Sequence, residues 1–318
     1  MITIIHVLIG GVGFVGVNLA EELISRGEEV LIATRRRSLE KRPAIAARLR
    51  SLGAGIHVAD SLWSLDLEGL GGDVYYYLPG ALTGGLKAMM EAHVNLLKHV
   101  IGVLEPLKPR LVLVSSIAAL GVPRGGGECI VYEEEEHLAG DREYPSLHME
   151  TKALGEKVLI ENERLLGGWS IIRPGVVYGP WGYHAEWRLL SIGVKTRIGP
   201  RLGRGIPHIY SRDLAKILAD AGEGVYDGFW VNAVDPLHPD IWDIFNSMCR
   251  VLGRRCMGVP VWGLVAMVGR IAPRTSPLKL FYSLLKRRCR YMTRRVRNLD
   301  WTPLEDQARG YLEWLKGI

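Results

Sequence analysis

The chain has 318 residues, which is enough for one large α/β domain and a smaller lobe. Apolar residues make up 48% of it and charged residues 23%, a balance that excludes a disordered protein. The formal net charge of +6 suits an anionic ligand such as a nucleotide, yet it is too small to indicate nucleic-acid binding. No apolar run reaches the ~18 residues of a transmembrane helix, so we expect no transmembrane segment.

The cysteines and the N-terminal residues bear on the compartment. The cysteines are Cys129, Cys249, Cys256 and Cys289. Their spacing is typical neither of a zinc site nor of a redox motif, and residues 1–9 lack the basic region and cleavage site of a signal peptide. We therefore expect a cytoplasmic protein with free thiols and no bound metal. The chain has a single Gln, Gln307, and only six Asn, a bias that indicates a thermophilic source.

Continuous apolar runs alternate with amphipathic stretches in the N-terminal part of the chain. The runs are typical of strands that are buried on both faces of a parallel sheet. They cover residues 4–9, 29–34, 74–78, 111–115 and 169–173. The amphipathic stretches predict helices at residues 13–26, 86–104 and 147–166. This alternation predicts a doubly wound α/β fold.

A glycine-rich turn follows the first predicted strand and leads directly into the first predicted helix. Gly10 permits a tight turn, Gly13 lets the backbone approach a pyrophosphate, and Gly16 lets the helix pack close to the sheet. The predicted cofactor contacts of this turn are Gly10, Gly13, Phe14, Val15 and Gly16. The strand, turn and helix together predict a Rossmann sheet that binds a dinucleotide.

The end of the second predicted strand indicates which dinucleotide binds. An NAD enzyme usually has an acidic residue there that holds the ribose hydroxyls, but this chain reads Thr34-Arg35-Arg36-Arg37. A guanidinium binds a 2′-phosphate through two parallel, charge-assisted hydrogen bonds. A solvated basic loop is the alternative interpretation. We expect Thr34, Arg35 and Arg36 to lie at the cofactor, and NADP(H) to be favoured over NAD(H).

The pattern changes after Gly179. The next residues are irregular and rich in Gly, Trp and Arg, and from Asp240 onward the chain is helical with basic patches. We predict a Rossmann domain at residues 1–179, to which residues 206–235 return. The predicted substrate lobe is smaller, mostly helical and discontinuous, with residues 180–205 and 236–318.

Landmarks along nearly the whole chain resemble the extended short-chain dehydrogenases/reductases, the superfamily of NAD-dependent epimerases and dehydratases. They are the glycine turn, Asn95 on a predicted helix, the serine segment 115–121, the RPxxVYGP-like segment 173–180, and segments 212–215 and 299–303. The serine segment and the basic end of the second strand look closest to the 3β-hydroxysteroid dehydrogenase and dihydroflavonol reductase-like branch, with nucleotide-sugar epimerases as close neighbours.

The resemblance implies further binding residues and an assembly. An acidic residue after the third strand contacts adenine in the family, and segments after later strands border the nicotinamide half. The implied cofactor contacts are Asp60, Ser61, Leu78, Pro79, Gly80, Pro174, Gly175 and Val176. The helices at 86–104 and 147–166 match those that pair across a dimer in many members, so we expect a homodimer.

The resemblance also implies a catalytic serine, Ser116, and a Tyr-x-x-x-Lys pair on one helix face. In the family, the lysine holds the nicotinamide ribose and lowers the pKa of the tyrosine from ~10, so that the phenol moves a proton near neutral pH. Lys152 is present here, but His148 stands where the tyrosine belongs. Ser116, His148 and Lys152 are the candidate catalytic residues.

Three explanations of this replacement remain open. His148 itself does the acid/base work, because its ordinary pKa of ~6.5 is near neutral and Lys152 would favour its neutral form. Alternatively Tyr144 substitutes, although Pro145 marks a helix start and makes this geometry poor. Third, the chain is a catalytically degenerate NADP(H)-binding scaffold or sensor. The presence of Ser116 and Lys152 favours altered catalysis on a nucleotide-sugar, a secondary alcohol or a ketone.

A basic stretch at residues 279–297 contains eight Lys and Arg residues. Such a run is usually a solvated helix face. The functional alternatives are a grip on a substrate diphosphate, contact with an anionic membrane surface, and contact with nucleic acid. Because the predicted substrate lobe includes this stretch, we expect an anionic small-molecule substrate and no nucleic-acid partner.

Overall fold

Seven parallel strands form the central sheet of the protein, whose computed structural model describes residues 3–124, 128–133, 142–182 and 192–316. The strands are β1 Ile5–Ile9, β2 Glu29–Arg35, β3 Gly55–Ala59, β4 Val74–Tyr77, β5 Arg110–Val114, β6 Gly168–Pro174 and β7 Phe229–Ala233. Their order across the sheet is β3-β2-β1-β4-β5-β6-β7. The order reverses between β1 and β4, which is the switch point where a Rossmann sheet binds its ligand. The predicted doubly wound Rossmann fold is confirmed.

Helices cover both faces of this sheet and make up most of the C-terminal region. They are α1 Phe14–Ser25, α2 Arg36–Lys41, α3 Pro43–Ser51, α4 Gly85–Met90, α5 Leu96–Leu104, α6 Leu147–Glu161, α7 Ser211–Gly222, α8 Ile241–Val251, α9 Trp262–Ile271, α10 Pro277–Leu285 and α11 Leu304–Lys316. Alternate strand residues point to opposite faces, so Leu8 and Tyr76 pack with α1, α3 and α7, while Val7 and Tyr77 pack with α5 and α6. Both faces are thereby buried, as the continuous apolar runs predict.

The predicted helix at 86–104 is interrupted. It consists of α4, a π-helical turn at Glu91–Asn95, and α5. A Cβ at Gly155 of α6 would lie 2.4 Å from the carbonyl oxygen of His93, so the glycine lets the π turn pack directly on α6. Single π turns occur frequently at functional sites.

The C-terminal region is largely helical, as predicted. Its core contains Phe245 of α8 and Tyr311 of α11, which pack with Tyr178 and Tyr210 from the segments beside the sheet. Short strands pair Val176–Tyr178 with His208–Tyr210, Ile198–Arg201 with Met257–Pro260, Cys129–Val131 with Cys289–Tyr291, and Val122–Pro123 with Arg142–Glu143. The division into a Rossmann domain and a substrate lobe stays a prediction. No helix in the described ranges is long and apolar enough to cross a bilayer.

The prediction of free thiols is wrong. Cys129 is bonded to Cys289, and Cys249 is bonded to Cys256, so every cysteine is paired. The first pair is 160 residues apart in the chain, and only the pairing of two short strands brings it together, which spacing alone does not reveal. Intracellular proteins of hyperthermophiles are rich in disulfides, so the bonds are compatible with the expected thermophilic source and cytoplasmic location.

Two helical glycines provide a matched test of the packing between α5, the π turn and α6. A Cβ at Gly102 of α5 would meet no atom within 4 Å, in contrast to the close contact at Gly155. We expect Gly102→Ala to raise the free energy of unfolding by up to about 1 kcal/mol, because alanine favours an exposed helix. Gly155→Ala should lower it by about 1–3 kcal/mol, because the added methyl overpacks the contact with His93. Chemical denaturation measures both values, and stabilisation by both variants would contradict the packing described.

Candidate active site

The glycine-rich turn between β1 and α1 has the geometry of a phosphate cradle. Gly10 has a φ of +72°, and its N–H donates to the carbonyl oxygen of Ala33 at 2.8 Å. A Cβ at Gly16 would lie 2.1 Å from the carbonyl oxygen of Gly11, so the helix packs against the turn only because Gly16 has none. A Cβ at Gly13 would meet nothing within 4 Å, which leaves open space in front of the N-terminus of α1. That space and the orphan N–H groups fit a pyrophosphate.

A basic pocket of about 220 Å³ lies beyond the end of β2. It is lined by Arg35, Arg37, Ser38, Lys41 and Arg42. The Arg35 Nε donates to Ser38 Oγ at 3.2 Å, and the Arg42 Nη1 donates to the carbonyl oxygen of Val12 in the glycine turn at 2.8 Å. Four cations around one small pocket fit a doubly charged phosphate.

Of the cofactor contacts predicted at the end of β2, only Arg35 lines the basic pocket. Arg36 is exposed and does not line the basic pocket. Thr34 is fully buried, and its Oγ1 has no hydrogen-bond partner among the described residues. Arg37, Lys41 and Arg42 were not among the predicted cofactor contacts, although Lys41 lies four residues after Arg37 on α2, a spacing that puts both on one helix face.

The other predicted cofactor residues lie at the carboxyl ends of the strands. Asp60 and Ser61 follow β3, Leu78, Pro79 and Gly80 follow β4, and Pro174, Gly175 and Val176 end or follow β6. The Leu78 N–H donates to Ile9 at the end of β1, and the Val176 N–H donates to the carbonyl oxygen of Pro207 at 2.7 Å. Parallel strands end at one edge of the sheet, so these segments border the same crevice as the glycine turn.

Two histidines and a lysine meet beside Gly80. The imidazole rings of His93 and His148 lie edge to face, with centroids 5.2 Å apart. A Cβ at Gly80 would lie 3.9 Å from both the Lys152 Nζ and the His93 Nε2. The Lys152 Nζ also donates to the carbonyl oxygen of Val114, at the end of β5, at 2.9 Å. All three side chains are buried.

The hydrogen bonds fix the tautomer of His93. The Ala81 N–H donates to the His93 Nε2 at 3.0 Å, so this nitrogen has the lone pair. The His93 Nδ1–H therefore donates to the Thr151 hydroxyl at 2.8 Å, and that hydroxyl donates to the carbonyl oxygen of Leu147 at 2.8 Å. His93 is thereby held neutral, with both ring nitrogens in use.

The same reasoning fixes the tautomer of His148. Its Nδ1 lies 3.1 Å from the carbonyl oxygen of Ala81. A carbonyl oxygen only accepts, so Nδ1 has the hydrogen and Nε2 has the lone pair. Unlike His93, His148 thus retains one ring nitrogen that is able to accept a proton.

Burial and the neighbouring charges set the protonation of this group. Burial and, to a smaller extent, the Lys152 ammonium lower the pKa of His148 to about 4, and the hydrogen bond to Ala81 partly opposes them. Burial lowers the pKa of Lys152 to about 8, against the nearby Glu156 carboxylate. Burial, then Lys152 and His148, also push the pKa of His93 well below its usual range. At neutral pH both imidazoles are uncharged, whereas most Lys152 side chains are charged.

The remaining candidates occupy distinct positions. Ser116 follows β5 and caps the short helical turn Ile117–Leu120, where its Oγ accepts from the Ala118 N–H at 3.2 Å. Tyr144 precedes α6, and its ring packs against Gly121. Ser116 and Lys152 thus share the end of β5, whereas Tyr144 lies before the helix that carries Lys152.

A buried ion pair lies one turn further along α6. Glu156 accepts from Arg173 of β6, with 2.7 Å between the Arg173 Nη2 and the Glu156 Oε2, and both side chains are fully buried. The Ser115 hydroxyl also donates to Glu156. His148, Lys152 and Glu156 are spaced four residues apart on one face of α6, so the carboxylate supports the lysine and the lysine stands beside the histidine.

His93 and Glu156 were not predicted as site residues, and Asn95 was named only as a landmark of the family resemblance. Asn95 is exposed and donates to Glu91 at 3.2 Å, whereas the buried side chain that this helix contributes to the site is His93. The π turn at Glu91–Asn95 changes which residues face inward, and uninterrupted helical periodicity does not predict it. Glu156 was detectable from the sequence, because it lies four residues after Lys152 and therefore on the same helix face.

Comparison with known proteins identifies the family. The sequence model of the NAD dependent epimerase/dehydratase family matches residues 6–196. The chain belongs to this family, which confirms the resemblance to the extended short-chain dehydrogenases/reductases. No curated protein matches it in sequence.

Solved structures show the same fold at low sequence identity. ADP-L-glycero-D-manno-heptose-6-epimerase from Helicobacter pylori is 15% identical with a TM-score of 0.70, over 99% of this chain and 97% of that one. A human epimerase family protein with NADPH is 20% identical with a TM-score of 0.69, over 98% and 99%. The Bordetella bronchiseptica enzyme WbmH in complex with NAD+ is 13% identical with a TM-score of 0.69, over 99% of each chain. At these identities the likeness shows the fold alone.

The buried ion pair has a matched control on the same helix. We expect Glu156→Gln to lower the free energy of unfolding by about 3–5 kcal/mol, because it removes the carboxylate charge that Glu156 sets against the buried Arg173 guanidinium. Glu161→Gln removes the partner of Lys157 in an exposed ion pair, and it should lower the free energy of unfolding by less than about 0.5 kcal/mol. Urea denaturation compares the two variants, and similar losses would contradict the role assigned to the buried pair.

Proposed function

We propose that the protein is an NADP(H)-dependent oxidoreductase or epimerase in which His148 is the acid/base group. One observation carries this proposal: the hydrogen bond to Ala81 holds His148 as the Nδ1–H tautomer, with Nε2 free to exchange a proton and Lys152 four residues along α6. A scaffold or sensor needs a cofactor pocket but no free basic atom at this position.

The proposed cofactor sites follow the crevice along the strand ends. The glycine turn would hold the pyrophosphate, and Arg35, Arg37, Lys41 and Arg42 would hold the 2′-phosphate of NADP(H). Lys152 would hold the nicotinamide ribose, beside the segment 174–176. When bound, the nicotinamide supplies hydride transfer.

The protein's own residues would handle the proton. The Ser116 hydroxyl orients the substrate oxygen, and the His148 Nε2 takes the hydroxyl proton as an alcohol is oxidised. Because the pKa of His148 is lowered to about 4, only about one molecule in a thousand has the proton-donating form at pH 7. His148 therefore suits proton removal, as in alcohol oxidation or the first step of an epimerisation, better than proton donation to a ketone.

The substrate proposal is a nucleotide-sugar or another anionic secondary alcohol or ketone. A second pocket, of about 230 Å³, is lined by Arg204, Arg287, Arg288 and Arg290 among other residues. The Helicobacter pylori relative is named for an ADP-linked sugar, which supports this class. The resemblance to the 3β-hydroxysteroid dehydrogenase and dihydroflavonol reductase-like branch suggests the alternative substrate class, an uncharged secondary alcohol or ketone.

We also propose a homodimer in which α4–α5 and α6 pair across a two-fold axis. The outward positions of these helices include Lys98, Lys157 and Glu161, so the proposed interface is polar at its rim. A cytoplasmic location stays a prediction.

The cofactor preference has a matched test in the basic pocket. We expect the wild type to bind NADPH more tightly than NADH. The double variant Arg35→Ala with Arg37→Ala should weaken NADPH binding at least about tenfold, because charge-assisted hydrogen bonds to the phosphate are lost. NADH binding should change little. Arg36→Ala is the control, since Arg36 does not line the pocket. Fluorescence titration measures both cofactors, and an equal loss in the control would contradict the assignment.

The role of His148 is testable by mutation at saturating NADP(H). We expect His148→Ala to lower turnover at least about a hundredfold while cofactor binding is retained, because the proton acceptor is removed. His148→Tyr restores the residue of the family and should retain or raise activity. His99→Ala on α5 replaces a histidine outside the site, whose ring contacts the Trp63 ring, and it should leave turnover unchanged.

The pH profile provides the second half of this test. Oxidation by the wild type should fall below pH about 4, where His148 becomes protonated, and above pH about 8, where Lys152 loses its charge. The acid limb should disappear from any residual activity of His148→Ala. Unchanged turnover in that variant contradicts the proposal, and a blank screen of alcohols, ketones and nucleotide-sugars favours the scaffold or sensor.

A further inference from the structure

The C-terminal region presents a short sheet with one glycine face and one apolar face. Strands Ile198–Arg201 and Met257–Pro260 pair in parallel, with Ile198 beside Met257 and Gly199 beside Gly258. The glycines face α8, where added Cβ atoms would lie 2.4 Å from the Phe245 ring and 3.0 Å from the Trp242 ring. Because side chains alternate, Ile198, Met257 and Val259 occupy the opposite face and are exposed by 49%, 60% and 41%.

Helix α9 begins two residues after this sheet and presents further exposed apolar side chains. Its inner side packs on α10, where a Cβ at Gly269 would lie 2.5 Å from Tyr282 and the Trp262 ring stacks on the same tyrosine. Leu264, Met267 and Ile271 follow at intervals of three and four, so they share the outer face. They are exposed by 62%, 61% and 82%, so the outer face of α9 is apolar and open to solvent.

The same segments contain cations without carboxylates. Residues 192–201 and 254–271 include no Asp or Glu. Their cations are Lys195, Arg197, Arg201, Arg254, Arg255 and Arg270, all exposed. In the described part of the chain, none of the six is in an ion pair with a carboxylate. The exposed apolar side chains and these cations together define the basic apolar face.

We propose that the basic apolar face docks on a membrane surface that contains anionic phospholipid. Exposed leucine, isoleucine and methionine side chains would enter the headgroup and acyl boundary, while the surrounding cations bind lipid phosphates. With 10 residues, α9 is suited to lying in the interface. A second copy of the chain is a poorer partner, because a two-fold interface on this face would set the six cations against their own copies.

The test is cosedimentation of the full-length protein with large vesicles. We expect binding to vesicles of phosphatidylcholine mixed with phosphatidylglycerol, weak binding to phosphatidylcholine alone, and a loss of the difference as salt is raised. Leu264→Glu with Met267→Glu should weaken partitioning to the mixed vesicles at least about tenfold, because two anchoring side chains are replaced by charges that the surface repels. Arg255→Gln with Arg270→Gln should reduce the preference for phosphatidylglycerol.

The matched control introduces the same charges elsewhere. Leu107 and Val225 are exposed by 43% and 60% outside this face, so Leu107→Glu with Val225→Glu should bind the mixed vesicles like the wild type. Thermal unfolding verifies that all variants are folded. The proposal is overturned if the wild type does not bind the mixed vesicles or if the control loses binding equally. It is also overturned if light scattering shows a dimer that Leu264→Glu with Met267→Glu dissociates.

Discussion

The fully buried ion pair between Glu156 and Arg173 is the constraint on which the rest of the site depends. Arg173 belongs to β6, and Glu156 belongs to the helix that carries Lys152 and His148. The same carboxylate accepts from Ser115 at the end of β5, so one side chain joins two strand ends to α6. A buried charge pair is costly to break because the remaining partner stays desolvated. The orientation of α6 over the crevice, and hence of its two candidate catalytic groups, is fixed by this contact.

Ionisable side chains lie at intervals of four residues along α6, and each one affects the pKa of the next. This spacing explains how a histidine functions where the family has a tyrosine. Glu156 opposes the burial that lowers the pKa of Lys152, so the ammonium is retained at neutral pH. That ammonium in turn favours the neutral imidazole of His148, whereas it would favour the anion of a tyrosine. A neutral imidazole with a free Nε2 is already a base, so the same lysine serves a different acid/base group without a change in the surrounding fold.

Local patterns in the sequence predicted the sheet and the glycine turn, because each depends on residues close together in the chain, whereas Lys152 and His148 became candidates through the resemblance to the family. Most of what escaped prediction depends on contacts between residues far apart in the chain. The π turn places His93 in the site, and it forms where Gly155 of another helix lets the backbone approach. Arg42 reaches the glycine turn across 30 residues, and Cys129 pairs with Cys289 across 160. Such contacts require the assembled fold, since neither periodicity nor spacing specifies them.

The proposed chemistry requires that His148 is a neutral Nδ1–H imidazole with a free Nε2 in the resting protein. Nitrogen-15 NMR of the histidine side chains, assigned by comparison with His148→Ala, tests this state directly through the two ring shifts over a pH titration. We expect a protonated Nδ1, an unprotonated Nε2 and a pKa of about 4 for His148. A hydrogen on Nε2 instead of Nδ1 at neutral pH, or titration near the ordinary value of ~6.5, would contradict it.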